Sequence, residues 1–516
     1  MQEKYRNYFF FFIILSLIFT NIPRALQCDF LFGTMALKLS AYPIFFGMLI
    51  ALCKKKQNAS LDIYCFWGVK YIVVYLMVTI LSLIYGLSTY PYYELILNGP
   101  TRQINKLNTL YLLLQEHNIP ISFEGLLTLW MLIRPIKGLI IETIMTFGTA
   151  LLIFEWFKND KKTMLKILMK SVYVSVICIL LYSVLDCGYL LNNFYATTLL
   201  KILNPFIHEI KNNGTWWPPL LQPGQLRSLF TEPSHYGIYS SFALPWLWYG
   251  TFFYKKKVCT YSILLFFTFC LYLTKARTAV MLLSGEIVLL VLFTIAFRKD
   301  MWKHTFAIIF CTLCSFFLAT SFINYSSVLN SQTNVTVKSY IDDNMESLAS
   351  PDKRSNRARY SVMEANFKIG LSHPLLGVGY SLRQAYTKDY LSEEGLHNNE
   401  IKGWLMDQER LGLIKSGFPP LGDYFVRFAE TGIIGVSLFL VFPGYLFYLL
   451  YHRIFQEENN ELCRLTYIFF SISLIGVMTS GIGDTLNVTY CYWTLLGIGY
   501  SLCFRGLKRN EYNNEK

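Results

Sequence analysis

Three stretches of this 516-residue chain carry residue types and spacings that could do chemistry. The first is Arg227-Ser-Leu-Phe-Thr-Glu232-Pro-Ser-His235, which sets a guanidinium, a carboxylate and an imidazole just before an apolar run. Pro233 favours a helix start there, and Thr231 or Glu232 could cap the free amides. Functionally this reads as a reactive carboxylate beside an anion-binding arginine; structurally it reads as a cap and an interface anchor. The second is Lys275-Ala-Arg277-Thr, a turn so short between two apolar runs that Arg277 must sit at the headgroup plane. Its planar fork suits phosphate oxygens, although snorkelling alone would also put it there. In the third, Lys353, Arg354, Arg357 and Arg359 open a helical pattern, with Arg354 and Arg357 on one face. His373-Pro-Leu-Leu-Gly-Val-Gly379 follows, its glycines allowing backbone to come close to a ligand or another helix. The stretch ends in Gly422-Asp423-Tyr-Phe-Val-Arg427-Phe-Ala-Glu430-Thr-Gly432-Ile-Ile-Gly435, where Asp423, Arg427 and Glu430 fall at helical spacing.

These residues have to be positioned by a membrane scaffold. Apolar residues make up 54% of the chain, charged residues only 15%, and the mean hydropathy is +0.37. A soluble enzyme would carry about 25% charge, so soluble, disordered and collagen-like classes are excluded. The net charge of +13 reads as orientation signals rather than as a nucleic-acid surface, because there is no soluble basic domain to hold one. The cysteines lie in or beside apolar runs, and Cys311 and Cys314 stand one helical turn apart inside such a run. No disulfide framework or zinc site is readable. The run Tyr8–Ile22 follows Lys4 and Arg6 without a small-residue cleavage pattern, and reads as a retained first helix.

A bilayer core needs about 20 apolar residues in helix. Runs of roughly that kind occur at 8–22, 35–53, 69–88, 136–156, 167–189, 236–254, 258–274, 278–297, 305–323, 432–450, 465–482 and 487–503. The expected fold is therefore all-α integral membrane, with about twelve spans. Basic clusters alternate with these runs, which predicts that both termini are cytoplasmic. The outer connections would be about 89–135, 190–235 and 324–431. The division is thus 1–323 for spans one to nine, 324–431 for a large extracytoplasmic catalytic loop, and 432–516 for spans ten to twelve and a cytoplasmic tail. Within that loop, Tyr360, Met363, Phe367 and Ile369 recur at helical spacing. Charged residues inside the runs are few, mainly Lys38, Lys70 and Glu286. A transporter would concentrate polar groups at mid-membrane and keep its outer loops short.

The chain resembles the bacterial O-antigen and capsular polysaccharide polymerases, in the superfamily that also contains the O-antigen ligases. The resemblance rests on Arg227-x4-Glu232-Pro-Ser entering a span, Thr274-Lys-Ala-Arg-Thr278, and the ordered series Arg354, Arg359, His373-Pro-Leu-Leu-Gly-Val-Gly379 and Glu430-Thr-Gly-Ile-Ile-Gly435. It covers residues from about 170 to 450. It implies an enzyme of the bacterial cytoplasmic membrane that moves a growing glycan from polyprenyl diphosphate onto the next lipid-linked repeat unit, on the outer face. Membrane lipids surround it, and a chain-length regulator and a flippase are the partners implied; no nucleic acid and no cofactor is. The resemblance makes Arg227, Arg277 and Arg359, with Arg354 and Arg357, the diphosphate clamp. Glu232, Asp423 or His373 would be the base for the acceptor hydroxyl, with His235, Arg427 and Glu430 in support. There is no Asp-x-Asp, so the chemistry is expected to run without a metal. The ligases carry His-Asn about nine residues before the glutamate of the last motif; here those places hold Leu421 and Gly422, and the nearest such pair is His397-Asn398. A ligase-like transferase and, in a different class, a lipid-linked oligosaccharide flippase are the alternatives.

Overall fold

The computed structural model describes residues 2–55, 63–209, 220, 224–297, 301–330, 337–342, 354–457 and 461–504. The protein is an all-α integral membrane protein, with no strand among the described residues. Each of the twelve apolar runs falls on a helix: α1 Gln2–Ser16, α2 Ala41–Lys55, α3 Ile63–Ser88, α4 Phe123–Phe157, α5 Lys161–Leu190, α6 Pro233–Phe253, α7 Lys257–Leu273, α8 Arg277–Phe297, α9 Trp302–Leu329, α11 Asp423–His452, α12 Glu461–Gly483 and α13 Cys491–Cys503. Between α9 and α11 lies α10, Arg354–Ser372. Among the described residues, seven helices are long and apolar enough to cross a membrane: α3, α4, α5, α8, α9, α11 and α12.

The remaining helices are shorter or more polar for physical reasons. Helix α6 is rich in Ser, Gly, Trp and Tyr, and is buried almost throughout. It packs against α5, α7, α8 and α12 and so has little lipid to face. Lipid tails are as apolar as leucine, so burial from lipid gains little by itself, and close packing and hydrogen bonds hold such a helix. The Ser473 hydroxyl donates to the Phe242 carbonyl (3.1 Å), and the Tyr249 and Thr466 hydroxyls pair at 3.0 Å.

Several boundaries differ from the sequence expectation. Helix α4 begins at Phe123 rather than near 136, because Ser122 caps it by accepting from the Gly125 amide (3.0 Å) and Pro135 is accommodated inside it. Helix α2 begins at Ala41, which leaves Lys38 outside any helix, at the end of the 3-10 turn Gly33–Leu37. Helix α11 begins at Asp423 but breaks at Gly432, where the backbone adopts φ 62° and ψ −167°. The expected start of the tenth run, 432, coincides with this break.

The break anchors the loop. It frees main-chain groups that the loop 373–379 takes up: the Val378 and Gly379 amides donate to the Ala429 and Glu430 carbonyls (2.9 and 3.1 Å), and the Ile433 amide donates to the Pro374 carbonyl (2.8 Å). Ser82 on α3 also donates to the carbonyls of Leu376 (2.8 Å) and Glu430 (2.7 Å). A side chain at Gly86 would start 2.1 Å from the Val378 carbonyl oxygen, so only glycine lets the loop lie on α3. The sequence reading of these loop glycines as places of close backbone approach describes this contact. Helix α10 packs on α11 through Phe367, whose ring lies 6.2 and 5.8 Å from those of Phe425 and Phe428, and through Gly370 beside Phe428, while Ala358 and Val362 sit with Ile401, Phe418 and Leu421. Of the face expected from the sequence only Ile369 is buried; Tyr360 and Phe367 are exposed.

Candidate functional site

Five chain connections bring ionisable side chains together at one end of the bundle. Lys38 comes from the link before α2, Glu232 and His235 from the start of α6, and Arg277 from the start of α8. Arg359 comes from α10, and Asp484 from the link between α12 and α13. Glu142, from α4, faces Lys38.

Glu232 occupies the N-cap position of α6 with Pro233 in the first turn, as the sequence suggested, but its side chain makes no capping bond. Its carboxylate accepts instead from the Ser234 hydroxyl (3.4 Å). His235 Nδ1 lies 3.4 Å from the Thr20 hydroxyl, which also pairs with the Thr231 hydroxyl at 2.9 Å. Lys38 stands over the Tyr490 ring, 5.2 Å from its centre. Burial pulls its ammonium down to about 8, against the opposing attraction of Glu142 and Asp484.

Glu142 is held on both oxygens. One accepts from the Asn487 amide (2.9 Å) and the other from the Tyr380 hydroxyl (3.0 Å). Trp493 Nε1 donates to the Asn487 side-chain oxygen (2.7 Å) and so fixes that amide. Burial, together with the nearby carboxylates of Glu142 and Glu430, keeps the Tyr380 phenol far above its ordinary value, so it stays a donor. Burial also raises the Asp484 carboxyl above the ordinary carboxylate range. His235, the Thr485 amide and Arg359 oppose that rise, and Glu232 adds to it. The Thr485 amide donates to one Asp484 oxygen at 2.8 Å.

The arginines named from the sequence divide into two groups. Arg277 and Arg359 face each other closely enough to repel. Among the described residues neither forms an ion pair, and one terminal nitrogen of Arg277 is shut off from solvent with no hydrogen-bond partner. Such a nitrogen calls for an anion. The Thr274 hydroxyl accepts from the Ala276 amide (3.1 Å) and closes the turn that presents Arg277. Arg357 lies half-buried on α10. Arg354 belongs to the same helix, and its side chain, like Lys353 as a whole, lies outside the described residues.

Arg227 is different. It is 1% exposed and interior. Its guanidinium donates to the Thr231 carbonyl (3.4 Å) and is attracted to Asp186. One Asp186 oxygen accepts the main-chain amides of both Arg227 (3.3 Å) and Ser228 (2.7 Å).

The third stretch is largely spoken for. Asp423 and Arg427 pair at 2.9 Å, and Arg427 also donates to the Tyr75 hydroxyl (2.7 Å) and lies 4.0 Å over the Phe439 ring. Glu430 turns instead to Arg383 (3.6 Å), a buried arginine absent from the sequence reading. His373 is set against Tyr386 and bonded to the Ile369 carbonyl (3.4 Å). Asn398 caps the helix Asn399–Leu411 by accepting from the Glu400 amide (2.8 Å). The sequence reading also missed Glu142, Tyr380, Asp484 and Asn487, and placed Lys38 inside a span. The available signal was faint: lone polar residues in the short links between apolar runs, such as Gly-Asp-Thr-Leu-Asn at 483–487.

The Arg277–Arg359 pair lies within a recognisable segment. Residues 262–408 match the O-antigen ligase family. The matched segment is under a third of the chain and carries Arg277, Arg357, Arg359 and His373. It supports a membrane glycan-processing enzyme of the ligase/polymerase superfamily, without separating polymerase from ligase. No curated protein matches the chain.

Proposed function

We propose that the protein is a polysaccharide polymerase of the bacterial cytoplasmic membrane. It transfers a growing glycan from polyprenyl diphosphate to the next lipid-linked repeat unit at the outer face. The observation that carries this reading is the shielded, unpartnered Arg277 nitrogen facing Arg359. Two guanidinium groups held together, neither in an ion pair among the described residues, suit a diphosphate, and they stabilise the charge that develops as it leaves. Lys38 would add to that field.

In the reaction, the bond between the anomeric carbon and the phosphate oxygen breaks, and the diphosphate carries the electron pair away into the arginines. A hydroxyl oxygen of the acceptor sugar bonds to that carbon and gives up its proton to a carboxylate. Asp484 is the residue we assign to that proton, because burial makes it a stronger base than a solvated aspartate. Glu232 is the carboxylate beside it. Asp423 is already paired with Arg427, and His373 with Ile369. Arg227 acts through the fold, by fixing the entry to α6. The connections that gather here are those that the alternation of basic clusters assigns to the outer side.

The test is surface-glycan length in a deletion strain complemented with variants. Arg359→Ala leaves single lipid-linked units to accumulate and abolishes long chains. Normal chain lengths in that strain would defeat the reading. A second reading, a ligase-like transferase, is favoured by the family that residues 262–408 match. In that case the same variant leaves polymer present but unattached.

A further inference from the structure

A cavity of about 520 Å³ adjoins Glu142, between α4, the turn at 29–35 and the loop at 380–385, with Leu413 and Ile414 closing one side. Its volume falls in the range of small-molecule sites, about 300–1,000 Å³. Helix α4 supplies the longest wall. Trp130, Arg134, Lys137 and Ile141 recur there at intervals of three and four, on one stripe. From Trp130 to Glu142 the wall runs roughly 18 Å at the helical rise. Gly138 lies on this stretch, and a side chain added there would meet nothing within 4 Å. Tyr90, Tyr380 and Gln384 come from the opposite elements.

The lining decides the ligand class. The α4 wall carries the Trp130 ring with Arg134 lying 5.3 Å over it and donating to the Ile414 carbonyl (3.4 Å), then an ammonium and a carboxylate, and two tyrosines and an amide stand opposite. A lipid tail would want none of the polar groups. A sugar chain uses both, laying its C–H faces on aromatic rings and its hydroxyls on planar donors and acceptors. Arg134 and Lys137 are exposed, and among the described residues neither forms an ion pair, whereas the Asp29 carboxylate is paired with Arg24 at 2.7 Å. The surplus is positive. At its inner end the cavity reaches Glu142, the carboxylate that faces Lys38 in the charged cluster.

We infer that this cavity is the acceptor-glycan subsite, which holds the oligosaccharide of the incoming unit with its reacting hydroxyl toward Lys38 and Asp484. The inference rests on the polymerase reading above and adds the site that reading lacks. The positive lining suits a repeat unit that contains an acidic sugar.

The test uses full-length protein in nanodiscs and two probes. One is the repeat-unit oligosaccharide released from the host's own surface polysaccharide, and the other is polyprenyl diphosphate. Gly138→Leu fills the open space and strengthens the helix, so the fold is retained. It weakens oligosaccharide binding by at least about tenfold and leaves polyprenyl diphosphate binding unchanged. Lys137→Ala weakens the oligosaccharide less. Arg359→Ala does the reverse, losing the diphosphate and keeping the sugar. Native oligosaccharide affinity in Gly138→Leu overturns the subsite, as does failure of the native protein to bind that oligosaccharide. Native diphosphate affinity in Arg359→Ala overturns the functional reading instead.

Discussion

Arg227 and Arg277 look alike in the sequence, each beside an apolar run and each a candidate for holding phosphate. The structure gives them opposite circumstances. Arg227 is interior, bonded to Thr231 and attracted to Asp186, which also gathers two amides of its turn. Arg277 faces another arginine and keeps a shielded nitrogen without a partner among the described residues. The difference teaches that an arginine is read by its counter-charge. A guanidinium drawn inward to a carbonyl and a buried carboxylate suits holding the fold, and one facing its own kind suits an anion.

The comparison can be broken most directly at Arg359. Arg359→Ala is expected to lower polymer formation by about 10²–10³-fold, as removal of a charge-stabilising donor does, with protein abundance unchanged. Arg359→Lys recovers only part, since the planar fork is lost; a gel ladder of surface glycan reads both. The opposite behaviour is expected at Arg227. Arg227→Ala removes the bond to Thr231 and the attraction that offsets the burial of Asp186, and costs about 1–3 kcal/mol, seen as a lowered melting temperature in detergent and a loss of membrane-inserted protein. Adding Asp186→Asn should restore part of that stability. A stable but inactive Arg227→Ala would move Arg227 into the same class as Arg277.

A smaller effect is expected at the helix break. Gly432→Ala forces a side chain into φ 62°, with its Cβ 2.3 Å from the Leu375 carbonyl oxygen. Strain of this kind costs about 1–3 kcal/mol, and thermal unfolding measures it.

The smallest effect is in pH dependence. Lys38, facing Glu142, Asp484 and the Tyr490 ring, sits at about 8 when folded, below its unfolded value of 10.5. Its buried charge is therefore a full cost below about pH 8, and that cost is relieved as pH rises toward 10.5. Relative to Lys38→Met, the native protein should gain thermal stability over that window. Its activity should fall over the same window as the ammonium is lost. The acid limb belongs to Asp484, which faces His235, Arg359 and Glu232 and protonates above the ordinary aspartate value. Asp484→Asn should flatten that acid limb.

The all-α membrane fold was legible because apolar runs are long-range, redundant signals. Each of the twelve runs overlaps a helix, and Gly432 marked a real boundary even though the helix itself begins at Asp423. The site was legible only in part. Arg277, Arg359, Glu232 and His235 could be named because each stands in a dense polar motif. Lys38, Glu142 and Asp484 stand alone among apolar residues, and only tertiary packing shows that they meet.

The stitching of the 373–379 loop into the broken helix has a mechanical outcome. Main chain joins main chain across the gap, and Ser82 clamps both strips from a third helix. Moving the loop off the helix would tear all of these bonds at once, so loop and helix behave as one rigid frame rather than as a hinged flap.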